Sequence, residues 1–268
     1  MAETPIETII QKVQAHRKYH SINKDLVRRL TEDALNKGIS GKSVVKAVRK
    51  KLHQVGGAYL NQNPDYSQLI NTLSTLPRNI HAGDIKHFCT MAMSAHASSA
   101  ERLPILETFF KTCLQSIAPI DSVLDLACGL NPLAVPWMPL SVNCSYTACD
   151  IYEDMLDLIH AFLTHLEIYN HIFSCDLAVC TPQKHVQVAL LLKSIPCLEQ
   201  LDKSISRRLL ETLNTDHILV SFPVRSLGGK SKGMPDFYRQ HFFEIIAGNC
   251  WDIQEFTFST EMAFLISK

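Results

Sequence analysis

The 268-residue chain has no apolar run near the ~18 residues of a membrane span. Its first twenty residues mix Glu, Lys, Arg and His and lack the apolar block of a secretory leader. A cytoplasmic location without membrane attachment is expected. Neither C-x-x-C nor H-E-x-x-H occurs, so the twelve His and nine Cys offer no recognisable ligand grouping and no metal is expected. The nine cysteines are odd in number and lie in apolar or strand-like stretches, which predicts buried reduced thiols over a disulfide framework. Ten Gly and twelve Pro are too few for a low-complexity protein, while 46% hydrophobic residues supply a packed core. The length fits one large domain or one with a smaller appendage, and a monomer is expected.

Net charge is also absent, but the balance hides a division. Residues 1–60 carry twelve Lys/Arg against five Asp/Glu, and residues 61–268 carry fourteen against twenty-one. A basic end fused to an acidic body is the footprint of a module that binds a polyanion.

Residues 1–115 predict helices. Asn23 or Ser21 can cap a segment whose Leu26, Val27, Leu30, Ala34 and Leu35 share one stripe. Ser43 opens a second helix with Val44, Val45, Val48, Leu52 and Val55 inward, while Lys46, Arg49, Lys50 and His53 recur at i, i+3, i+4 and i+7. Like charges at that spacing repel, and no Glu is interleaved. A phosphate backbone explains the arrangement better than solvation alone, so Lys46, Arg49, Lys50 and the adjoining Lys51 are candidate contacts to it. Gly56-Gly57 should stop this helix, residues 61–64 form a linker, and 66–76 and 84–94 read as further helices.

From residue 122 strands and helices alternate. Strands are expected at 123–127, 145–150, 173–177, 186–192, 217–222, 253–258 and 263–266, and helices at 154–166, 198–213 and 236–247. Unbroken apolar runs such as Val188-Ala-Leu-Leu-Leu192 suit strands covered on both faces. The fold class is α/β, a doubly wound and mostly parallel sheet. Only Ser259-Thr260-Glu261 joins the last two strands, which must therefore pair antiparallel. The division expected is 1–115, a helical docking domain, and 116–268, the sheet domain.

In such sheets ligands bind beyond the carboxyl ends of the strands, near the point where strand order reverses. The first strand closes Leu124-Asp-Leu-Ala-Cys-Gly-Leu-Asn-Pro132, the second Cys149-Asp150, and the third Cys175-Asp176-Leu177. A carboxylate about twenty residues beyond a glycine-bearing turn is placed for both hydroxyls of a ribose, and one a strand further for an adenine amino group. Neither G-x-G-x-x-G nor G-x-x-x-x-G-K-[ST] is present to cradle a pyrophosphate. S-adenosylmethionine has no phosphate and needs only one close-approach glycine. It is the expected cofactor.

Four motifs carry a family resemblance: His96-Ala-Ser-Ser-Ala-Glu-Arg102, Ala127-Cys-Gly-Leu-Asn-Pro-Leu-Ala134, Cys149-Asp-Ile151 and Ser221-Phe-Pro-Val-Arg-Ser-Leu-Gly-Gly229. They resemble the aminoglycoside-resistance methyltransferases of 16S ribosomal RNA, the Arm/Rmt group, as does Lys51-Leu-His-Gln-Val-Gly-Gly-Ala-Tyr59. The resemblance runs from about residue 20 to the end. It implies a Rossmann-like methyltransferase sheet that moves a methyl from S-adenosylmethionine to N7 of guanine 1405 in the 30S subunit, with the helical domain docking the ribosome.

The resemblance also implies roles. Arg102 would hold the methionine carboxylate of the cofactor, with His96, Ser98 and Ser99 on the same segment. Ala127 and Gly129 would form the backbone wall, Asp150 the ribose acceptor, Asp176 with Leu177 the adenine pocket, and Leu192, Lys193 and Gln200 the far rim. Tyr59 would close the pocket from the N-terminal side. The stretch 222–232 has loop composition with three cations, Arg225, Lys230 and Lys232, and reads as a phosphate clamp. Phe222 is the candidate stacking surface for an extruded base. Guanine N7 carries an in-plane lone pair and no proton, so no acid or base residue is assigned. A methyltransferase for another rRNA base or a small molecule, and a noncatalytic RNA-binding protein on this fold, stand as alternatives.

Overall fold

The computed structural model of the chain describes residues 5–57, 64–224 and 233–268. Tyr59, Arg225, Lys230 and Lys232 lie outside the described residues. Helices α1 (Pro5–Gln14), α2 (Lys24–Asn36), α3 (Lys42–Leu52), α4 (Tyr66–Leu73), α5 (Gly83–Met93), α6 (Ala97–Ala100) and α7 (Leu106–Leu114) precede strand β1 (Ile120–Leu126). The chain continues through β2 (Leu140–Asp150), α8 (Glu153–His165), β3 (Tyr169–Ser174), β4 (Val186–Leu192), α9 (Ile195–Leu198) and α10 (Ile205–Thr212). It ends with β5 (Thr215–Pro223), α11 (Met234–Ile246), β6 (Asp252–Thr257) and β7 (Glu261–Ser267).

Local chemistry explains most boundaries. Asn23 is the cap of α2, its Oδ1 accepting the Leu26 N–H at 2.8 Å, and the stripe of Leu26, Val27, Leu30 and Ala34 is buried. Helix α3 buries Val44, Val48 and Leu52, but beyond Leu52 the backbone widens into a π-helical turn over His53–Gly57 instead of stopping at the glycine pair. The helix expected at 198–213 is two, α9 and α10. The strand expected at 173–177 ends at Ser174, because Asp176 folds back to accept the Ala178 N–H at 3.0 Å and turns the chain.

The seven strands run in the order β3-β2-β1-β4-β5-β7-β6. All neighbours from β3 to β5 are parallel, while β7 is antiparallel to both β5 and β6. Strand order reverses between β1 and β4. Along β4, Val188 and Leu190 enter one apolar core and Ala189 and Leu191 the other, so both faces of the strand are covered.

The N-terminal helices are stitched to the carboxyl edge of the sheet. The Asn23 N–H donates to the Ile151 carbonyl and the Glu153 N–H to the Ser21 carbonyl, each at 2.8 Å. Asn23 Nδ2 donates to Ser174 Oγ at 2.8 Å. Helix α7 packs on β7, and α5 on the 3-10 segment Asn131–Trp137. The N-terminal helices thus stand over the strand ends where chemistry is expected.

Candidate active site

A cavity lies at the reversal of strand order, walled by the ends of β1 to β4. Ala127, Gly129, Asp150, Asp176, Leu177, Leu192 and Lys193 line it, joined by His96 and Ser98 from the segment around α6. All nine were expected from sequence. The backbone turns sharply here: Ala127 and Lys193 have φ of 48° and 56°, and Gly129 has 52°. A left-handed non-glycine residue costs on the order of 1–3 kcal/mol, so two at one site mark a conformation imposed by the surrounding structure. At Gly129 a Cβ would meet His96 Cε1 at 3.2 Å, a tight approach that adds to the left-handed φ in favouring glycine.

Asp150 is held by three backbone donors. Its Oδ2 accepts the Gly129 N–H at 2.9 Å, and its Oδ1 accepts those of Ile151 at 2.6 Å and Tyr152 at 3.4 Å. Burial raises its pKa, opposed by these N–H groups. The aspartate therefore fixes the glycine turn as well as facing the cavity. Asp176 has a partner that sequence reasoning missed: Arg29 of α2 donates from Nε to Oδ2 at 2.6 Å. No spacing rule links residues so far apart in the chain. Val55 and Gly56 close the cavity from the N-terminal side, and Leu198 and Leu201 add apolar wall. Ile151, Tyr152 and Ser194 directly follow strand-end residues already singled out, a signal that could have found them.

Arg102 is the principal correction. It is 1% exposed and outside the cavity lining, with Nε and Nη2 donating to Glu261 Oε2 and Oε1 at 3.0 and 2.6 Å. Its Nη1 donates to Asn131 Oδ1 at 2.8 Å, and Phe109 stacks 4.8 Å from the guanidinium. The carboxylate paired with Arg102 here is the protein's own Glu261, brought in by the antiparallel strand β7. The cation in the cavity wall is Lys193, whose Nζ donates to the Ser98 carbonyl at 2.5 Å and to Glu101 at 3.2 Å, and lies 3.6 Å from Glu261. Burial lowers the Lys193 pKa, countered by Glu261. Ser99 is buried behind the lining, and Gln200 is an exposed residue whose carbonyl accepts from Lys51 Nζ at 2.6 Å.

The expected RNA contacts also divide. Phe222 is fully buried, stacked on Tyr238 at 5.1 Å and packed edge-on to Phe242 and Phe264, so it is core and no platform for a base. Arg49 donates to the Lys12 and Val13 carbonyls and clasps the end of α1. With Lys51 tied to Gln200, the exposed cations of the α3 stripe are Lys46 and Lys50. Six of the nine free cysteines are buried, while Cys180 and Cys250 are exposed against expectation.

Two groups near the site, the half-buried His96 and the buried Asp125, titrate in opposite senses. Burial, reinforced by Lys193 and Arg102, pulls His96 from 6.5 down to about 4. Burial pushes Asp125 from 3.8 up to about 7, against hydrogen bonds from Asn131 at 2.6 Å and the Tyr146 hydroxyl at 2.8 Å. As pH falls below 6.5 the unfolded chain protonates His96 before the folded one does, and stability drops. Asp125 acts inversely: its contribution is full below 3.8 and is lost as pH rises through about 7. Asp125→Asn keeps the shape and removes the second effect. Its denaturant midpoint should therefore climb more steeply than the wild type's between pH 4 and 6.5, the window set by His96. Parallel slopes would show that Asp125 carries no proton there.

The residues fit S-adenosylmethionine. The half-buried Asp150 carboxylate faces the cavity and would meet a ribose, Leu177, Leu192, Leu198 and Leu201 would offer an apolar wall to adenine, one glycine allows close approach, and Lys193 would supply a cation for a carboxylate. The family model described as ribosomal RNA methyltransferase (FmrO) matches residues 15–266. The 16S rRNA (guanine(1405)-N(7))-methyltransferase of Micromonospora rosea is 34% identical over 98% of this chain and 97% of its own length. Among solved structures, the 16S rRNA methylase RmtB is 30% identical with a TM-score of 0.80, covering 99% of both chains. The 16S rRNA methyltransferase RmtF in complex with S-adenosyl-L-homocysteine has a TM-score of 0.84 at 26% identity over the full length of both.

Proposed function

The chain belongs to the FmrO family of ribosomal RNA methyltransferases, and on that premise we propose that it transfers the methyl of S-adenosylmethionine to N7 of guanine 1405 in 16S ribosomal RNA. The observation that carries this reading is Asp150, presented to a cavity at the reversal of strand order by a turn built on a single glycine. The cofactor supplies a methyl on a positively charged sulfur. N7 offers its lone pair without losing a proton, so the protein's work is to bind, orient and exclude water. Asp150 orients the ribose end, Lys193 and the backbone at Ser98 line the polar end, and the leucines keep water from the apolar wall. Arg102 and Glu261 act from behind that wall.

Residues 1–115 serve docking and 116–268 methyl transfer in this reading, with the exposed Lys46 and Lys50 facing RNA phosphates. The partner is the 30S subunit, which places the enzyme in the cytoplasm. No helix among the described residues is long and apolar enough to cross a membrane.

Purified protein should methylate 30S subunits only when cofactor is present, with the modification mapping to N7 of guanine 1405. Modification of another base would overturn the assignment. In cells, the methyl and its fixed positive charge remove an acceptor and repel polycationic 4,6-disubstituted deoxystreptamines in a partly desolvated groove. Expression should therefore confer resistance to gentamicin, kanamycin and amikacin but leave sensitivity to apramycin. Apramycin resistance with gentamicin sensitivity would point to a neighbouring adenine instead.

A further inference from the structure

Helix α11 presents an aromatic side chain that the fold does not use. Phe237 is 61% exposed, whereas Phe242 on the same helix is fully buried. The ring is nevertheless ordered from beneath. It lies nearly parallel to His241, 14° between planes and 6.0 Å between centroids, and edge-on to Tyr238 at 5.4 Å. Tyr238 in turn stacks on Phe222 in the core at 5.1 Å. A ladder of rings thus runs from the interior to the surface and ends at Phe237.

The ladder stands beside the cofactor cavity. Its His241 Nε2 meets Glu199 Oε2 at 2.8 Å, and Glu199 directly follows Cys197 and Leu198, which line the cavity. Burial raises the Tyr238 phenol, with Cys197 and Glu199 as its charged or ionisable neighbours. Helix α11 also packs on β5, whose carboxyl end belongs to the same edge of the sheet. An exposed, backed aromatic ring next to a methyl-transfer site has a chemical use when the substrate is a base. N7 of a paired guanine faces the deep, narrow major groove of A-form RNA, so presenting it requires bases to leave their stack. Such a base regains stacking on an aromatic face.

We propose that Phe237, backed by His241 and Tyr238, is the platform on which an rRNA base leaving its stack is received when the target guanine is presented to the cavity. This rests on the rRNA methyltransferase reading. It moves the stacking role from Phe222, which is buried, to a ring that solvent and substrate can reach. Phe237 is a positioning residue for the substrate strand and does not touch the cofactor.

The test compares Phe237→Ala, Phe237→Leu and Phe237→Trp with the unsubstituted chain, using purified 30S subunits and S-adenosylmethionine. Cofactor affinity by calorimetry and the thermal midpoint should be unchanged in all three, because the side chain is exposed. Single-turnover methylation should fall about 5- to 150-fold for Ala, the range for losing one base–aromatic stack. Leu should fall similarly, since it restores apolar bulk without a π face, and Trp should recover most of the rate. A Leu variant as active as the unsubstituted chain would overturn the platform while leaving the enzyme's function intact. So would a Trp variant as impaired as Ala, because the site would then be steric. If the unsubstituted chain methylates no 30S subunits, the function reading fails first and the proposal with it. A ribosomal protein as the true contact would show as an effect on 30S subunits but none on naked 16S RNA, an outcome that also overturns it.

Discussion

Glu261→Ala should leave the protein unfolded, or nearly so, at room temperature. Glu261 and Arg102 are 0% and 1% exposed, and Lys193 is 5% exposed, so Glu261 is the counter-charge of Arg102 away from water and shares that of Lys193 with Glu101. Ser221 Oγ donates to the same carboxylate. Removing one partner of a buried ionic cluster costs about 3–5 kcal/mol, chiefly because the other charges stay buried without compensation. That is a large part of the ~5–15 kcal/mol that holds a typical domain folded. Glu261→Gln keeps the volume and one acceptor, so it should fold with a lowered denaturant midpoint. Burial alone would raise the Glu261 pKa, yet Arg102 and Lys193 outweigh it and hold the group below 4.5. The cluster's contribution is therefore present above that pH and lost as acid takes the carboxylate through its lowered value. Urea titrations would check both variants. An alanine variant within about 1 kcal/mol of the wild type would mean that Arg102 and Lys193 find other compensation, since a satisfied pair is worth little once solvated.

Asp150→Ala should weaken S-adenosylmethionine binding by about 1.5–3 kcal/mol, the range for hydrogen bonds to a charged acceptor. The structure adds a second reason for the loss. The carboxylate that would meet the ribose also anchors Gly129 and the chain at Ile151 and Tyr152, so its removal loosens the turn that shapes the cavity. Calorimetry on the folded variant is the direct measurement. Unchanged affinity would remove Asp150 from the cofactor site and leave it a loop anchor only.

Both predictions concern residues at strand ends, yet only one was legible beforehand. Asp150 announces itself because a strand's apolar run stops at it and a glycine turn lies about twenty residues earlier, a local and periodic signal. Glu261 looks like a turn residue between two short strands. It becomes the counter-charge of Arg102 only when β7 inserts between β5 and β6 and sets its first residue beside the carboxyl end of β5. Phe222 and Phe237 make the same point in reverse. In sequence Phe222 closes a strand at the functional edge, and Phe237 is one of several aromatics on a helix. Which ring faces solvent depended on how α11 rolls against β5.

The sequence by itself determined what rests on near neighbours along the chain. These are the helices with their caps, the apolar runs of a doubly covered sheet, the antiparallel ending, the single-glycine turn and carboxylates of an adenosyl site, and the motifs that carry the family. Only the tertiary structure decided which charges meet across the fold. Arg29 is committed to Asp176, Arg49 to the carbonyls of α1, Lys51 to Gln200 and Arg102 to Glu261, which leaves Lys193 in the cavity and Lys46 and Lys50 in solvent. The reason is physical. Local conformation follows from sterics and hydrogen bonds within a few residues, whereas a long cationic side chain takes whatever acceptor the packing of distant elements brings within about 3 Å, and no spacing along the chain records that distance.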